Sequence, residues 1–154
     1  MKLQQLVQSD RVMLGLTAPD ADAALSILAE RIALALEMPQ TALNKALSER
    51  EHLGSTAVGD GFAIPHCKIH GIDDIYIAFA RFDPGVEFHA PDKRPVQAMF
   101  VVLSPPDQPA AHLQVLSQIA RVLKRKEFRE EMLRARDASE IVRSVHHAAE
   151  AEGL

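Results

Sequence analysis

His66 directly follows a proline and lies downstream of Gly54-Ser55-Thr56 and Gly59-Asp60-Gly61-Phe62-Ala63-Ile64-Pro65. A neutral imidazole nitrogen is a good nucleophile near pH 7. Pro65 limits the backbone before it, and the glycines admit close approach by a partner. A second histidine, His112, opens a helical pattern far along the chain. The partial positive charge of a helix N-terminus disfavours imidazolium and attracts phosphate. A neutral His112 in that place can donate a hydrogen bond to a phosphoryl oxygen. Two histidines, nearby hydroxyls and a constrained backbone suit a phosphoryl group carried on nitrogen. The bland alternatives are a histidine packed at a strand end for His66 and a capping or core histidine for His112.

Arg50 lies just before the Gly54-Ser55-Thr56 turn. Its guanidinium can clamp two phosphate oxygens, or it can serve as an exposed helix-end charge. Ser55 and Thr56 offer hydroxyl donors to phosphate or to His66, and are equally suited to ordinary turn chemistry. His66, Cys67 and His70 provide three metal-ligand types within five residues, but a structural zinc site needs four, in paired motifs. Cys67 as a thiol nucleophile would need a base facing it, which a sequence neighbour seldom does. The Walker phosphate loop, the Gly-x-Ser-x-Gly elbow and His-Glu-x-x-His are all missing from the sequence. His52, His70, His89, His146 and His147 are read as isolated, structural or solvated.

The elements that must hold these groups follow from periodicity. A short helix is expected at residues 3–8, and a strand at Val12-Met13-Leu14-Gly15-Leu16. A helix capped by Asp20 or Asp22 follows, with Ala24, Leu25, Leu28, Ile32 and Leu36 on one face. Pro39 suits a first helical position, with Leu43, Ala46 and Leu47 inward. Three glycines between Gly54 and Gly61 break the pattern. Phe62-Ala63-Ile64 reads as extended, Ile75 to Phe82 as a strand, and Pro84-Gly85 as a turn. Val96 to Leu103 is a nearly continuous apolar run, the mark of a buried central strand. Helices are expected at about 110–124, with Leu113, Leu116, Ile119, Ala120 and Leu123 inward, and near 126–135 and 138–149. Strands interleaved with helices predict one layered α/β domain, with a mixed sheet because some connections are too short for crossovers.

With 154 residues, 47% of them hydrophobic, the chain can build one sizeable core. The net charge of −4 argues against a nucleic-acid partner, which favours a basic footprint. Lys124-Arg125-Lys126 sits among Glu127, Glu130 and Glu131 and reads as a solvated helix face. A single cysteine rules out an internal disulfide and fits a reducing compartment. The first residues lack the apolar core of a signal peptide, and no apolar run is long enough to span a bilayer. A soluble cytoplasmic protein without membrane insertion is expected.

Glu49-Arg50-Glu51-x-x-Gly54-Ser55-Thr56-x-x-Gly59-x-Gly61-x-Ala63-Ile64-Pro65-His66-x-Lys68 resembles the signature of enzyme IIA domains of the phosphoenolpyruvate-dependent phosphotransferase system, fructose/mannitol class. Pro105 through His112-Leu113-x-x-Leu116-Ser117 is similar to the second histidine region of that family, and the likeness covers nearly the whole chain. Within the class the chain looks most like the nitrogen-regulatory branch, since no sugar-binding, IIB or membrane segment is attached and the Gly54-Ser55-Thr56 form fits. Cys67 and Ala57 stand where glycine is common in the family. The resemblance implies a mixed β-sheet sandwiched between helices as a three-layer single domain over residues 1–154. It implies that His66 is phosphorylated, that His112 supports it and that Arg50 helps hold the phosphoryl group. It implies an HPr-like phosphocarrier as donor and no dissociable cofactor; no metal is expected either, because the sequence shows no second ligand cluster beside His66, Cys67 and His70. The protein is then a phosphohistidine carrier rather than a multiple-turnover small-molecule enzyme. Its output is regulation of partners such as transporters or sensor kinases; the alternative is sugar transport, passing phosphate to a IIB domain. The donor is expected to dock on apolar surface around His66 that includes Phe62.

Overall fold

The computed structural model describes residues 2–154. The chain begins with a single helical turn, α1 (Leu3–Leu6), shorter than expected, and a 3₁₀ turn leads into strand β1 (Val12–Leu16). Helix α2 (Ala21–Leu36) starts at Asp20, whose carboxylate accepts the Ala23 N–H at 2.8 Å and so satisfies one of the orphan donors of a helix start. Ala24, Leu25, Leu28 and Ile32 form its buried stripe. Helix α3 (Gln40–His52) begins one residue later than expected, with Pro39 in the cap position, and buries Leu43 and Leu47.

Strands β2 (Ala57–Gly59) and β3 (Phe62–Ala63) form a tight hairpin. Asp60 and Gly61 between them have φ of 57° and 85°. A two-residue turn with positive φ at both positions matches the twist of the strands, and Asp-Gly is a favoured pair for it. After β4 (His66–Lys68) comes β5 (Tyr76–Val86). β5 is longer than expected: it runs through Pro84-Gly85, where the sequence suggests a turn. Its ladder shifts register between Arg81 and Val86, and such a bulge accommodates a residue with no N–H to give.

Strand β6 (Val96–Ser104) is the centre of the sheet. It pairs antiparallel with β5 and parallel with β3 and β4. The strand order is β1-β5-β6-β3-β2, with β4 continuing beside β6. Every β6 residue except Gln97 is buried, which explains the unbroken apolar run. Alternate side chains serve opposite faces. Met99, Val101 and Leu103 join α2 and α3 in one core. Ala98, Phe100 and Val102 join the other, beneath α1, α4 (Pro109–Leu123), α5 (Lys126–Arg134) and α6 (Ala138–Ala151). The molecule is therefore a mixed sheet between two helical layers, the architecture expected.

Helix α4 differs in one respect that matters for the site. Its buried stripe is Val115, Ile119, Val122 and Leu123, joined by His112 and Gln118. Leu113, expected inward, is 68% exposed, Ala120 is exposed and Leu116 only partly buried. Helical spacing admits two neighbouring stripes in this segment, and the sheet selects the one that carries Val115. Among the described residues, no helix is long and apolar enough to cross a membrane.

Candidate functional site

Strands β3 and β4 are two halves of one track beside β6, separated by Ile64-Pro65. The proline donates no hydrogen bond, but its carbonyl accepts the Val102 N–H at 2.9 Å. The track therefore stays in register and sets His66 opposite Val102. Alternation sends Cys67 into the α2/α3 core and leaves His66 partly exposed at the other face.

The surroundings of His66 distinguish its two ring nitrogens. Nδ1 lies 2.7 Å from the Ile64 carbonyl oxygen. A carbonyl only accepts, so Nδ1 carries the proton and donates. Nε2 is left with its lone pair, and the Arg50 Nε–H donates to it at 3.3 Å. The same guanidinium is anchored by Nη1 donating to the Gly54 carbonyl at 2.9 Å. Arg50 stands in the last turn of α3, and Gly54, just beyond that helix, has φ of 157° with open space beside it.

The His112 ring lies against His66, with centroids 5.6 Å apart and planes at 52°. His112 is in the first turns of α4, buried, and its Nδ1 is 2.5 Å from Ser104 Oγ at the end of β6. Burial is the main cause holding the His66 pKa below the usual histidine value; the Ile64 hydrogen bond opposes this, Arg50 adds to it and Glu51 opposes it. Burial likewise holds His112 down, followed by repulsion from His66 and Lys68. Both rings are thus kept neutral near pH 7. They open into a cleft of about 500 Å³ bordered by Ala46, Glu49, Leu53, Lys68, Leu113 and Leu116. Leu53 is 85% exposed and, with Leu113, adds exposed apolar surface to the cleft that holds the imidazoles.

The structure brings His66, His112 and Arg50 together. It does not bring the two hydroxyls to them. Ser55 Oγ donates to the Phe88 carbonyl and accepts the Ala57 N–H at 3.1 Å. Thr56 Oγ1 donates to Glu51 Oε1 at 2.7 Å, and its N–H goes to Oε2 at 2.8 Å. Both hydroxyl protons are spent in shaping the loop, so neither is free for a phosphoryl oxygen. Phe62 is corrected as well: it is 0% exposed and offers nothing to an incoming protein. Burial pushes the Cys67 thiol up to about 12, which keeps it protonated and a poor nucleophile. Among the described residues, no three His, Cys, Asp or Glu side chains are placed to hold a metal. Three roles escape a reading of the sequence: those of the Ile64 carbonyl, Glu51 and Ser104. Glu51 and Ile64 stand in the quoted signature without a role, and Ser104 shows only as a hydroxyl closing an apolar strand.

The family model for the phosphoenolpyruvate-dependent sugar phosphotransferase system, EIIA 2, matches residues 5–148. The chain belongs to this family. Among EIIA 2 relatives it is 35% identical over 141 residues to a nitrogen regulatory protein of Bradyrhizobium diazoefficiens, covering 92% of each chain. It is 40% identical over 90 residues to a fructose-specific EIIA component of Haloferax volcanii, 58% of each. Its fold is that of the nitrogen regulatory protein IIA-Ntr from Neisseria meningitidis, with a TM-score of 0.87 at 27% identity over 93% of this chain and 98% of that one. The IIA in a complex of enzyme IIA-mannitol with phosphorylated enzyme IIB-mannitol from Escherichia coli shares the fold at 16% identity. Its TM-score is 0.77 over 91% and 96% of the two chains.

Proposed function

We propose that this EIIA 2 protein accepts a phosphoryl group on Nε2 of His66 from the phosphohistidine of an HPr-like carrier in the cytoplasm, and regulates partner proteins according to its phosphorylation state. The reading rests above all on the proton of His66: with Nδ1–H held by the Ile64 carbonyl, the lone pair sits on the nitrogen that faces Arg50 and the cleft. The Nε2 lone pair attacks phosphorus in line with the donor nitrogen. A new N–P bond forms, the donor N–P bond breaks, and its electron pair returns to the donor ring. The acceptor ring then carries positive charge, which the Ile64 carbonyl stabilises from Nδ1. Arg50 Nε–H passes from the consumed lone pair to a phosphoryl oxygen, and His112 meets another. Catalysis on this reading is positioning and charge stabilisation.

The test is His66→Ala in the full chain, mixed with labelled phosphocarrier. Acid-labile phosphate disappears while the fold, read by circular dichroism, survives; label that still enters the protein overturns the assignment. A regulatory output is favoured by the nitrogen regulatory relatives, and the partners proposed for it are transporters or sensor kinases. The fructose-specific relative supports a second reading, phosphate delivery to a IIB domain. Transfer from labelled protein to a panel of IIB domains decides between them, since a regulator keeps its label and a transport component loses it.

A further inference from the structure

Ser104 is 0% exposed, and its Oγ has one side-chain partner, His112 Nδ1 at 2.5 Å. The hydroxyl is fixed by β6: Ser104 pairs with Lys68 across the ladder, and its carbonyl accepts the Ile69 N–H at 2.9 Å. Two proton arrangements fit the Oγ–Nδ1 contact. If Nδ1–H donated to Oγ, the serine O–H would be a buried donor with no acceptor, a costly state. If the serine O–H donates to Nδ1, both groups are satisfied and the neutral ring must carry its proton on Nε2. His66 shows the opposite arrangement, with Nδ1 protonated by its bond to Ile64 and Nε2 bare.

We propose that Ser104 is a positioning residue that locks His112 in its Nε2–H tautomer, so that the ring offers a hydrogen-bond donor and never a competing lone pair to the phosphoryl group on His66. The pair of rings is then complementary: one nucleophile, set by the link between β3 and β4, and one donor, set by the end of β6. This rests on the proposed phosphate acceptance by His66, but the tautomer is measured without it.

Long-range ¹H–¹⁵N spectra of the unphosphorylated full chain near pH 7.5 read the tautomers directly. His112 should show an unprotonated Nδ1 and a protonated Nε2, and His66 the reverse; a protonated His112 Nδ1 overturns the proposal with no variant needed. In Ser104→Ala the His112 nitrogen shifts should move toward a tautomer average. Transfer from saturating donor should slow about tenfold, as for loss of a hydrogen bond that orients a functional histidine, with the donor KM unchanged. Ser104→Thr should restore both. A rate loss with unmoved nitrogen shifts, or moved shifts with an unchanged rate, also overturns it. Phosphate entering His66→Ala defeats the acceptor assignment and leaves the His112 spectrum to be judged by itself.

Discussion

As the proposed acceptor, His66 must be neutral, and its environment extends that condition toward acid. Its pKa is lowered chiefly by burial, so the nucleophilic form persists below pH 6.5. The rate of phosphate acceptance, measured against pH with excess donor, should be flat above pH 6.5 and inflect below it. A fall already under way at pH 7.5 would contradict this. The same shifts link to stability. The unfolded chain takes up these protons near 6.5, the folded chain only at lower pH. The contribution is therefore complete above 6.5 and is lost as pH falls from there through the folded pKa values. Urea midpoints should decline across that window, and less so in His112→Gln. Arg50 both faces Nε2 and is tied to Gly54. Arg50→Ala should slow transfer by about 10²-fold, the usual loss for one preorganised donor to developing charge. Arg50→Lys should recover little, because a lysine cannot hold two acceptors at a fixed angle.

At the scale of elements, two local devices aim the site. The Asp20 cap begins the helical pair whose second member carries Arg50. Asp20→Ala should cost about 1 kcal/mol of stability in urea unfolding. The Asp60-Gly61 turn sends β3 back toward β6, and Gly61 sits at φ of 85° with its nearest neighbour 3.6 Å from an added Cβ. There is room for a methyl group but not for its backbone angle. Gly61→Ala should destabilise by about 1–2 kcal/mol through strain alone, and a variant as stable as the parent would refute that account. The Gly54–Gly61 segment was legible as a break with special angles. The spending of Ser55 and Thr56 on Phe88 and Glu51 was not, because a hydroxyl has no sequence signature for the direction in which it donates.

For the whole molecule, the sheet divides two cores and leaves the imidazoles at a cleft where α3, β4 and α4 meet. Its rim carries two of the largest exposed apolar side chains, Leu53 and Leu113. Exposed apolar residues that no core requires, lining the same cleft as the two histidines, suit a transient protein partner. Leu53→Asp and Leu113→Asp should each raise the donor KM by about tenfold, roughly 1.4 kcal/mol of binding. The maximal rate and the urea midpoint should stay near the parent values; an unchanged KM would remove these leucines from the docking surface.

The sequence by itself determined the class, one layered α/β domain with a mixed sheet, and the family resemblance supplied the three-layer arrangement. The apolar run at Val96–Leu103, the cap at Asp20 and the glycine break at Gly54–Gly61 are local signals, and local signals survive in the linear text; the short strand at Ala57–Gly59 and its Asp60-Gly61 turn were not read from it. It also marked His66, His112 and Arg50 as residue types suited to one chemistry. Only the tertiary structure decided which face of α4 is buried, that Phe62 is core while Leu113 is surface, and that Ser104 stands behind His112. Those facts depend on which strand lies beneath which helix, and contacts between residues far apart in the chain leave no period to read. The proton positions proposed for the two histidines rest on the Ile64 carbonyl and the Ser104 hydroxyl, which the β3–β4 track and β6 set against the rings.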